Sequence, residues 1–300
     1  MRHDFVSLKI FVSIAECLNL TRAAEREHLA VSAVSKRVAE LEAMVGTPLL
    51  HRQPRGVILT PAGQSLLRYA RQVMLLLGQA DAELGEYSGG VKGHLRIHAV
   101  ASALIQFLPE DIESFLQRHP QIRFDIEEGT GRQVATAVLD GTADLGVVTS
   151  AVSIPGLSSV PYRVDHLMLG VPDGHVLAGL ERVDFRRAAE FPFVGPHNES
   201  SLADLMSSAA RDLGVHLQQR VRASSFDAMC RMVEAGLGIV VLPEQVLRRQ
   251  AQVGRLQVVP LDAAWAQRTL HVIVRQADQP GPLTATFVAH LCQSMPSAAE

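Results

Sequence analysis

The chain has 300 residues, of which 47% are hydrophobic and 20% charged, and its formal net charge is −3. This length and composition predict about two globular domains with buried cores, and they exclude a disordered, collagen-like or low-complexity protein. The longest apolar runs are far shorter than the roughly 20 residues of a membrane-spanning helix.

The cysteine content and the N-terminal residues indicate the cellular compartment of the chain. Three widely separated cysteines fit neither a disulfide framework nor paired metal-ligand spacing. No basic segment followed by an apolar core opens the chain, so we expect a soluble, reduced, cytoplasmic protein without metal or cofactor. Residues 1–60 carry eight Lys and Arg against six acids, a slight basic excess that suits DNA contact or ordinary scatter equally.

The first 60 residues predict short helices followed by two extended pieces. An amphipathic helix begins at Phe5, Thr21 is placed to cap a second helix, and a third runs from about 31 to 45. Two short helices joined by a tight turn are typical of a helix-turn-helix, here at about 21–40. The extended pieces at 49–52 and 56–60 indicate a wing.

A long helix is predicted next, from about 62 to 87. Its apolar residues are spaced alternately by four and three positions, as in a coiled-coil seam: Leu66, Ala70, Val73, Leu77, Ala80 and Leu84. We expect this seam to form a dimer, with packing on a domain core as the competing interpretation. A Ser-Gly-Gly hinge at 88–90 is the best domain boundary.

Beyond the hinge, segments with strand and helix patterns alternate, which predicts a parallel α/β sheet. We expect one domain at 91–300 with two lobes, lobe I at about 91–162 and 268–300, and lobe II at about 163–267. Ligands of such sheets bind at the carboxyl ends of strands. The sequence therefore predicts a ligand cleft between the lobes.

Several motifs in this order resemble the LysR-type transcriptional regulators. The residues at 21–25, 32–38 and 41–42 are similar to the family's helix-turn-helix, and those at 48–52 and 55–63 to its wing and linker entry. The motifs at 93–97, 108–109, 119–120, 141–145 and 234–239 are similar to its effector-binding domain. The resemblance covers essentially the whole chain.

This resemblance implies a DNA-binding regulator rather than an enzyme. A winged helix-turn-helix at 1–60 would bind double-stranded DNA, a linker helix at 61–88 would pair into dimers or tetramers, and RNA polymerase is a further candidate partner. The effector domain would be two-lobed and similar to periplasmic binding proteins. The residues expected to contact DNA are Thr21, Val31, Ser32, Ala33, Ser35, Lys36, Arg37, Arg52 and Arg55.

The chain departs from the family pattern at the start of its third helix. Ala30 and Val31 stand where the family usually has a capping Ser and a Gln. Because Ala cannot cap, we expect Ser32 to take over and shift the helix start. Glu27 also replaces a residue that is usually apolar. These departures leave open which residues read bases.

Polar residues that follow the expected strands predict an effector site. Ser102, Thr130 and Thr149 follow three strands of lobe I, and the first two match polar pocket positions of the family. A simple helix cap is the other interpretation for Ser102 and Thr130. The expected residues of lobe II are His197, Ser200 and Phe226. We expect a small anion, a carboxylate in particular, to be held there, because hydroxyls and backbone amides after strand ends favour negative charge without needing a buried arginine.

The alternative function is a small-molecule binding protein whose N-terminal module serves dimerisation or protein contact. An enzyme is disfavoured because the chain has neither a Gly-x-Ser-x-Gly elbow nor a phosphate-binding Gly-x-x-x-x-Gly-Lys motif. The twelve histidines do not pair at metal-site spacing, and Cys230 has the surroundings of an inert core thiol.

Overall fold

A computed structural model describes residues 4–53, 56–86, 93–149, 154–197, 200–276 and 281–293. The chain forms two compact units, which are Met1–Gly90 with Asp140–Thr142, and Val91–Leu139 with Ala143–Glu300. No helix within the described ranges is long and apolar enough to cross a membrane.

The first unit contains four helices and a two-stranded hairpin in its described residues. The elements are α1 (Phe5–Cys17), α2 (Leu20–Arg26), α3 (Val31–Val45), β1 (Leu50–Gln53), β2 (Gly56–Leu59) and α4 (Pro61–Glu86). β1 and β2 are antiparallel, with Leu50 opposite Leu59. These elements follow the predicted helices and wing within one or two residues.

The cap of α2 differs from the expected one. Asn19, not Thr21, is the N-cap, and its side-chain oxygen accepts hydrogen bonds from the backbone N–H groups of Thr21 and Arg22 at 2.9 and 3.1 Å. α1 ends at Cys17, and Leu18 turns the chain in a left-handed conformation, which frees Asn19 to start the next helix. The prediction that Thr21 caps α2 is therefore wrong.

The start of α3 also differs from the prediction. Ala30 is the N-cap and provides no side-chain hydrogen bond, yet the helix begins at Val31 rather than being shifted to Ser32. The buried residues Val34, Val38 and Leu41 stabilise α3 against the rest of the unit. Packing of this apolar face outweighs a missing cap, which costs about 1 kcal/mol.

The hairpin is held by the Glu42 side chain of α3 and by a close approach to the backbone of Leu18, which follows α1. Glu42 Oε1 accepts from the N–H groups of Leu49 and Leu50 at 2.8 and 3.1 Å. Gly56 has a φ of +147° and lies so close to Leu18 that a Cβ would be 2.4 Å from the Leu18 carbonyl oxygen. Glycine is required at this turn because any side chain would collide with that backbone.

The second unit alternates helices and strands around a mixed sheet. Its elements up to the middle of the chain are β3 (Gly93–Ala99), α5 (Ala101–Gln106), α6 (Leu108–Arg118), β4 (Ile122–Glu128), α7 (Gly131–Asp140), β5 (Leu145–Val148) and β6 (Leu157–Pro172). They continue with β7 (Val183–Asp184), α8 (Phe185–Ala188), β8 (Phe193–Pro196), α9 (Ser201–Leu213), β9 (Gln219–Ala223) and α10 (Phe226–Glu234). The last are β10 (Val240–Pro243), α11 (Glu244–Val253), β11 (Leu256–Asp262), a 3-10 turn at Ala264–Ala266, β12 (Gln267–Arg275) and α12 (Pro282–Gln293).

The predicted parallel sheet is wrong, because the eight-stranded sheet is mixed and four of its seven strand pairs are antiparallel. The strand order is β4-β3-β5-β12-β6-β11-β7, with β10 also on β6. β3 pairs in parallel with β4 and β5, whereas β12 is antiparallel to β5 and β6, and β6 is antiparallel to β10 and β11. β12 and β6 belong to this sheet and link the two lobes, whereas β8 and β9 of lobe II form a separate two-stranded parallel sheet.

Each lobe has its own hydrophobic core. In lobe I, β3, α6 and α12 contribute Leu95, Ile97, Phe115 and Phe287 to one of these cores. In lobe II, Phe185, Phe193, Met229 and Val240 lie in another. β6 runs from one lobe to the other, since residues 157–166 pair with β12 and residues 167–172 pair with β10 and β11. The cleft therefore lies beside strands that both lobes hold in place.

Lobe I contains a buried ion pair next to its aromatic core. Arg163 Nη2 donates to both carboxylate oxygens of Asp111, at 2.8 and 3.0 Å, and the Tyr162 hydroxyl donates to the same carboxylate. Burial, together with this hydrogen bond, raises the pKa of Tyr162 far above its ordinary value. The pair fixes α6 to β6.

Candidate functional site

The expected recognition helix, α3, has one exposed face along its first two turns. Val31, Ser32 and Lys36 are exposed on α3, Ala33, Ser35 and Arg37 are half-buried, and Thr21 is exposed on α2. Val34 and Val38 are buried between these positions. The alternation of buried and exposed residues leaves one polar face of α3 open.

Two arginines near this face form hydrogen bonds within the unit. Arg52 Nη2 on β1 donates to Ser35 Oγ at 2.9 Å, which brings two of the residues expected to contact DNA together. Arg37 Nη1 donates to Asp4 Oδ2 at 2.7 Å and to Ser7 Oγ at 3.0 Å, so it ties α3 to the start of α1. Arg55, also expected to contact DNA, lies outside the described residues.

Glu27 and Lys9 account for the unusual charge in the helix-turn-helix. Glu27 Oε2 lies 3.1 Å from Lys9 Nζ of α1, and the Glu27 side chain is largely buried. An ion pair thus stands where the family usually has an apolar contact. The partner charge allows the carboxylate to occupy this position.

The residues of the expected dimer seam fall into two groups along α4. Leu66 and Ala70 pack against Leu8 and Val12 of α1, and Ala70 is completely buried. Val73 is 39% and Leu77 44% exposed, and Ala80 is exposed as well. The side chain of Leu84 lies outside the described ones. Only the part of the seam after Ala70 is therefore exposed in a single chain and able to contact a second copy.

The six side chains expected to bind an effector line one cavity of about 420 Å³ in the second unit. They are Ser102, Thr130, Thr149, His197, Ser200 and Phe226. The first three follow β3, β4 and β5, and the other three lie at the starts of α9 and α10 or just before them. The cavity is thus built where strands end and helices begin, and both lobes contribute to it.

The cavity hydroxyls differ in their local roles. Thr130 Oγ1 accepts from the Gln133 N–H at 3.3 Å, and Gln133 Oε1 accepts from the Thr130 N–H at 2.8 Å, a reciprocal cap of α7. Ser200 caps α9, with its Oγ accepting from the Ala203 N–H at 3.1 Å. Ser102 is only 3% exposed and lies inside α5, whose N-cap is Val100. The capping interpretation therefore holds for Thr130 but not for Ser102.

A hydrogen bond joins the two lobes across the cavity. Thr149 Oγ1, after β5, donates to Ser201 Oγ, the first residue of α9, at 3.0 Å. Both residues also line an adjacent cavity of about 580 Å³ with Trp265 and His271. The bond therefore marks the boundary between two chambers of the cleft.

Sequence reasoning missed two charged residues of the cavity lining, Glu128 and Arg268, of which Arg268 is buried. Arg268 on β12 lines both chambers, and its side chain is only 10% exposed. Its Nε and Nη2 donate to Asp165 Oδ2 at 2.8 and 2.6 Å. A buried arginine therefore lines the cavity beside the hydroxyl groups that were expected to hold an anion without needing one. Arg268 lies on the same strand face as the buried Leu270 and Val272, and this alternation was the available signal.

Metal and thiol chemistry find no support in the described residues. No group of three or more His, Cys, Asp or Glu side chains in that part of the chain could hold a metal ion. His94 and His98 lie on β3 beside Asp125 and Glu127 of β4, at 2.8 and 3.2 Å. Cys230 is fully buried in the core, and this burial raises the pKa of its thiol to about 12.

Two family models cover most of the chain. Residues 5–64 match the bacterial regulatory helix-turn-helix protein of the lysR family, and residues 88–296 match the LysR substrate binding domain. An uncharacterized HTH-type transcriptional regulator of Mycobacterium tuberculosis (strain ATCC 25618 / H37Rv) is 34% identical over 277 residues, which are 88% of each chain.

Two solved structures share the fold of the whole chain. A full-length OxyR variant from Pseudomonas aeruginosa superposes with a TM-score of 0.77 at 21% identity, covering 98% of this chain and 96% of that one. CbnR complexed with its target DNA has a TM-score of 0.59 at 23% identity, covering 97% of this chain and 99% of that one. With both family domains present in their usual order, the chain belongs to the LysR family of transcriptional regulators.

Proposed function

We propose that this regulator binds operator DNA as a dimer through α3 and the wing, and that a small carboxylate in the 420 Å³ cavity modulates this binding. One observation carries the proposal. Six side chains, chosen from separate places in the sequence, meet around a single cavity of a size that suits a small metabolite.

The chemistry of the cavity favours an anion. Six hydroxyl-bearing residues line it, and hydroxyl groups can donate hydrogen bonds to a carboxylate. They are Ser102, Thr130, Thr149, Ser200, Ser201 and Ser224. α7 and α9 begin at the cavity, and the N-terminus of a helix has free N–H groups and a partial positive charge. Phe226 adds an apolar surface for the rest of the ligand.

The open face of α3 supports the DNA-binding part of the proposal. Ser32 and Lys36 are exposed and long enough to reach phosphates or base edges in a major groove, and the Val31 methyl groups suit the methyl of thymine. Arg52 beside Ser35 extends the same face onto the wing. The related fold of CbnR is seen in complex with its target DNA, which supports this use of the module.

Fluorescence anisotropy with labelled duplexes tests the DNA-binding part. The probes are the DNA that flanks the protein's own coding region and a duplex of the same length and composition with its sequence shuffled. We expect tighter binding to the natural sequence, and a steep fall in affinity as salt is raised. Equal affinity for both duplexes at physiological salt would contradict the proposal and favour a module that serves dimerisation or protein contact.

A further inference from the structure

Arg268 has one nitrogen left for a ligand. Its Nε and Nη2 are both taken by Asp165 Oδ2, whereas Nη1 makes no hydrogen bond to the part of the chain that the structure describes. The side chain is nine-tenths buried and lines the cavity. A guanidinium nitrogen carries two N–H donors in a fixed plane, so Nη1 can serve one carboxylate oxygen.

Asp165 and Gln106 hold this guanidinium in place. Asp165 is buried, and its second oxygen, Oδ1, accepts from Gln106 Nε2 at 3.1 Å. Gln106 Nε2 also donates to the backbone carbonyl of Ser102 at 3.2 Å. The network therefore connects the arginine to the segment that carries the most buried hydroxyl of the cavity. Asp165 and Gln106 are positioning residues, since they reach the cavity through Arg268 and Ser102.

The charges around the cavity limit the charge of its ligand. Among the described lining residues, Glu128 and Arg268 are the two that are charged at neutral pH. The charge of Arg268 is balanced behind it by Asp165, and Glu128 adds a negative charge to the wall. One carboxylate gains a charge-assisted hydrogen bond from Arg268, whereas a second one meets no further cation and is repelled by Glu128.

We infer that Arg268 is the specificity-determining residue of the cavity, and that it selects ligands with a single carboxylate over neutral compounds and dicarboxylates. This inference rests on the proposed function, in which the cavity holds the effector. Beyond that function, it identifies Arg268 as the residue that contacts the carboxylate of the ligand, and it limits the ligand to one carboxylate.

An introduced thiol at Ser201 can report the electrostatic potential beside Arg268. Ser201 lines both chambers together with Arg268 and Thr149. The Ser201→Cys chain is treated with methanethiosulfonates of similar size, one carrying a sulfonate and the other a trimethylammonium group. Each transfers its thioalkyl group to the thiolate and releases methanesulfinate. Peptide mass spectrometry gives the rate at this position, with Cys17, which lies in the other unit, as the internal reference.

Three further substitutions in the Ser201→Cys chain should affect the ratio of anionic to cationic reagent rates in different ways. Arg268→Gln should lower the ratio of anionic to cationic reagent rates by about tenfold, because a charge within several ångströms is removed. Asp165→Asn should raise this ratio, because the guanidinium loses its balancing charge. Arg268→Lys should keep it. Because Arg268→Gln leaves a buried carboxylate unpaired, Asp165→Asn combined with Arg268→Gln serves as a second variant without that cost. The ratio should again fall, but by less than with Arg268→Gln alone, because Asp165 lies behind the guanidinium and its charge is removed as well.

Arg163 offers a matched control. Arg163 lies on the neighbouring part of β6, is largely buried and pairs with Asp111 of α6, but it does not line this cavity. Arg163→Gln should leave the ratio of rates unchanged. If this substitution shifts the ratio as much as Arg268→Gln does, a general loss of structure explains the result and the inference is wrong.

Protection experiments test the number of charges. Benzoate, benzamide and phthalate, each at the same millimolar concentration, compete with an uncharged methanethiosulfonate for the introduced thiol. We expect benzoate to slow the modification at least twofold, and benzamide and phthalate to protect less. Protection by benzamide or phthalate equal to that by benzoate, or no protection by benzoate, would overturn the inference.

The failure of the inference and that of the proposed function have different signatures. A thiol that reacts equally fast with both charged reagents, with or without Arg268, removes the role of Arg268 and leaves an accessible cavity for a neutral effector. A thiol that reacts with no reagent while the chain is folded shows a cavity closed to solutes, and this result contradicts the proposed function together with the inference.

Discussion

Thr149 Oγ1 donates a hydrogen bond of 3.0 Å to Ser201 Oγ, and this bond links the end of a lobe I strand to the first turn of a lobe II helix. Its two hydroxyls also belong to the lining of the cavity. A ligand that enters must keep this bond or replace it. The affinity of the cavity and the closure of the lobes are therefore coupled through one pair of side chains.

Replacing Thr149 by Val tests this coupling. The substitution keeps the size of the side chain but leaves Ser201 without its donor, at a cost of roughly 1 kcal/mol in the free energy of unfolding. We expect a lower midpoint in thermal unfolding and a ligand affinity weaker by up to about tenfold. Thr149→Ser keeps the hydroxyl and should behave like the natural chain. Identical affinities for all three chains would show that the bond has no part in binding.

The roles of two neighbouring cations on α3 are expected to differ. Lys36 is exposed, whereas Arg37 is held by Asp4 and Ser7. Lys36→Ala should weaken DNA binding and reduce the slope of log affinity against log salt by about one. Arg37→Ala should mainly lower the free energy of unfolding and leave that slope unchanged. Anisotropy titrations at four salt concentrations measure both, and a lower slope for Arg37→Ala would assign that residue to phosphate contact.

Dimerisation should depend on the exposed part of the α4 seam. Val73→Asp combined with Leu77→Asp places two charges in the proposed interface, at a cost of several kcal/mol if they are buried without partners. We expect a monomer in sedimentation experiments and a loss of DNA affinity of at least about tenfold. Gln72→Asp, which lies off the seam, is the control and should stay dimeric. An unchanged mass for the double variant would remove the seam assignment.

The buried thiol of Cys230 predicts a pH dependence of stability. Its pKa is raised from 9.0 to about 12, mainly by burial, with Asp227 and Glu234 adding to the rise. Above pH 9 the unfolded chain loses the thiol proton while the folded chain keeps it, so the stabilisation present at lower pH is lost as the pH rises towards 12. The loss approaches about 1.4 kcal/mol per pH unit.

Urea unfolding between pH 8 and 10.5 measures this effect. Cys230→Ala removes the thiol while other alkaline titrations remain, so its free energy of unfolding should fall less steeply with pH than that of the natural chain. Parallel curves for the two chains would contradict the assignment of Cys230 to the core in its protonated form.

Local patterns predicted the elements whose signals lie within a few residues. β3 alternates apolar residues, α9 has an apolar stripe, and the wing follows from its turn residues. β6 shows where such reasoning ends, because only its second half, 167–171, has the apolar pattern of a buried strand. Its first half carries Arg163 and Asp165, which are stabilised by Asp111 and Arg268 from distant parts of the chain. Long-range ion pairs leave no local pattern in the sequence.

More of the candidate cavity could be predicted from the sequence than of the sheet that supports it. The resemblance and the ends of the strands identified the hydroxyls, since these follow directly from position in the chain. Arg268 was missed because one arginine in an apolar strand suggests a surface residue until its partner is known. Asp165, directly opposite it on β6, supplies the charge that allows its burial.

The most direct measurement combines ligand and DNA in one titration. A metabolite screen by thermal unfolding supplies a ligand, and anisotropy then records how its concentration changes the affinity for the natural duplex. Ser102→Ala and Thr130→Ala should each require roughly ten- to hundredfold more ligand, because each removes a hydrogen bond to a charged group. Thr286→Ala, on α12, should respond like the natural chain. Equal ligand requirements in all four chains would show that the effector does not act from this cavity.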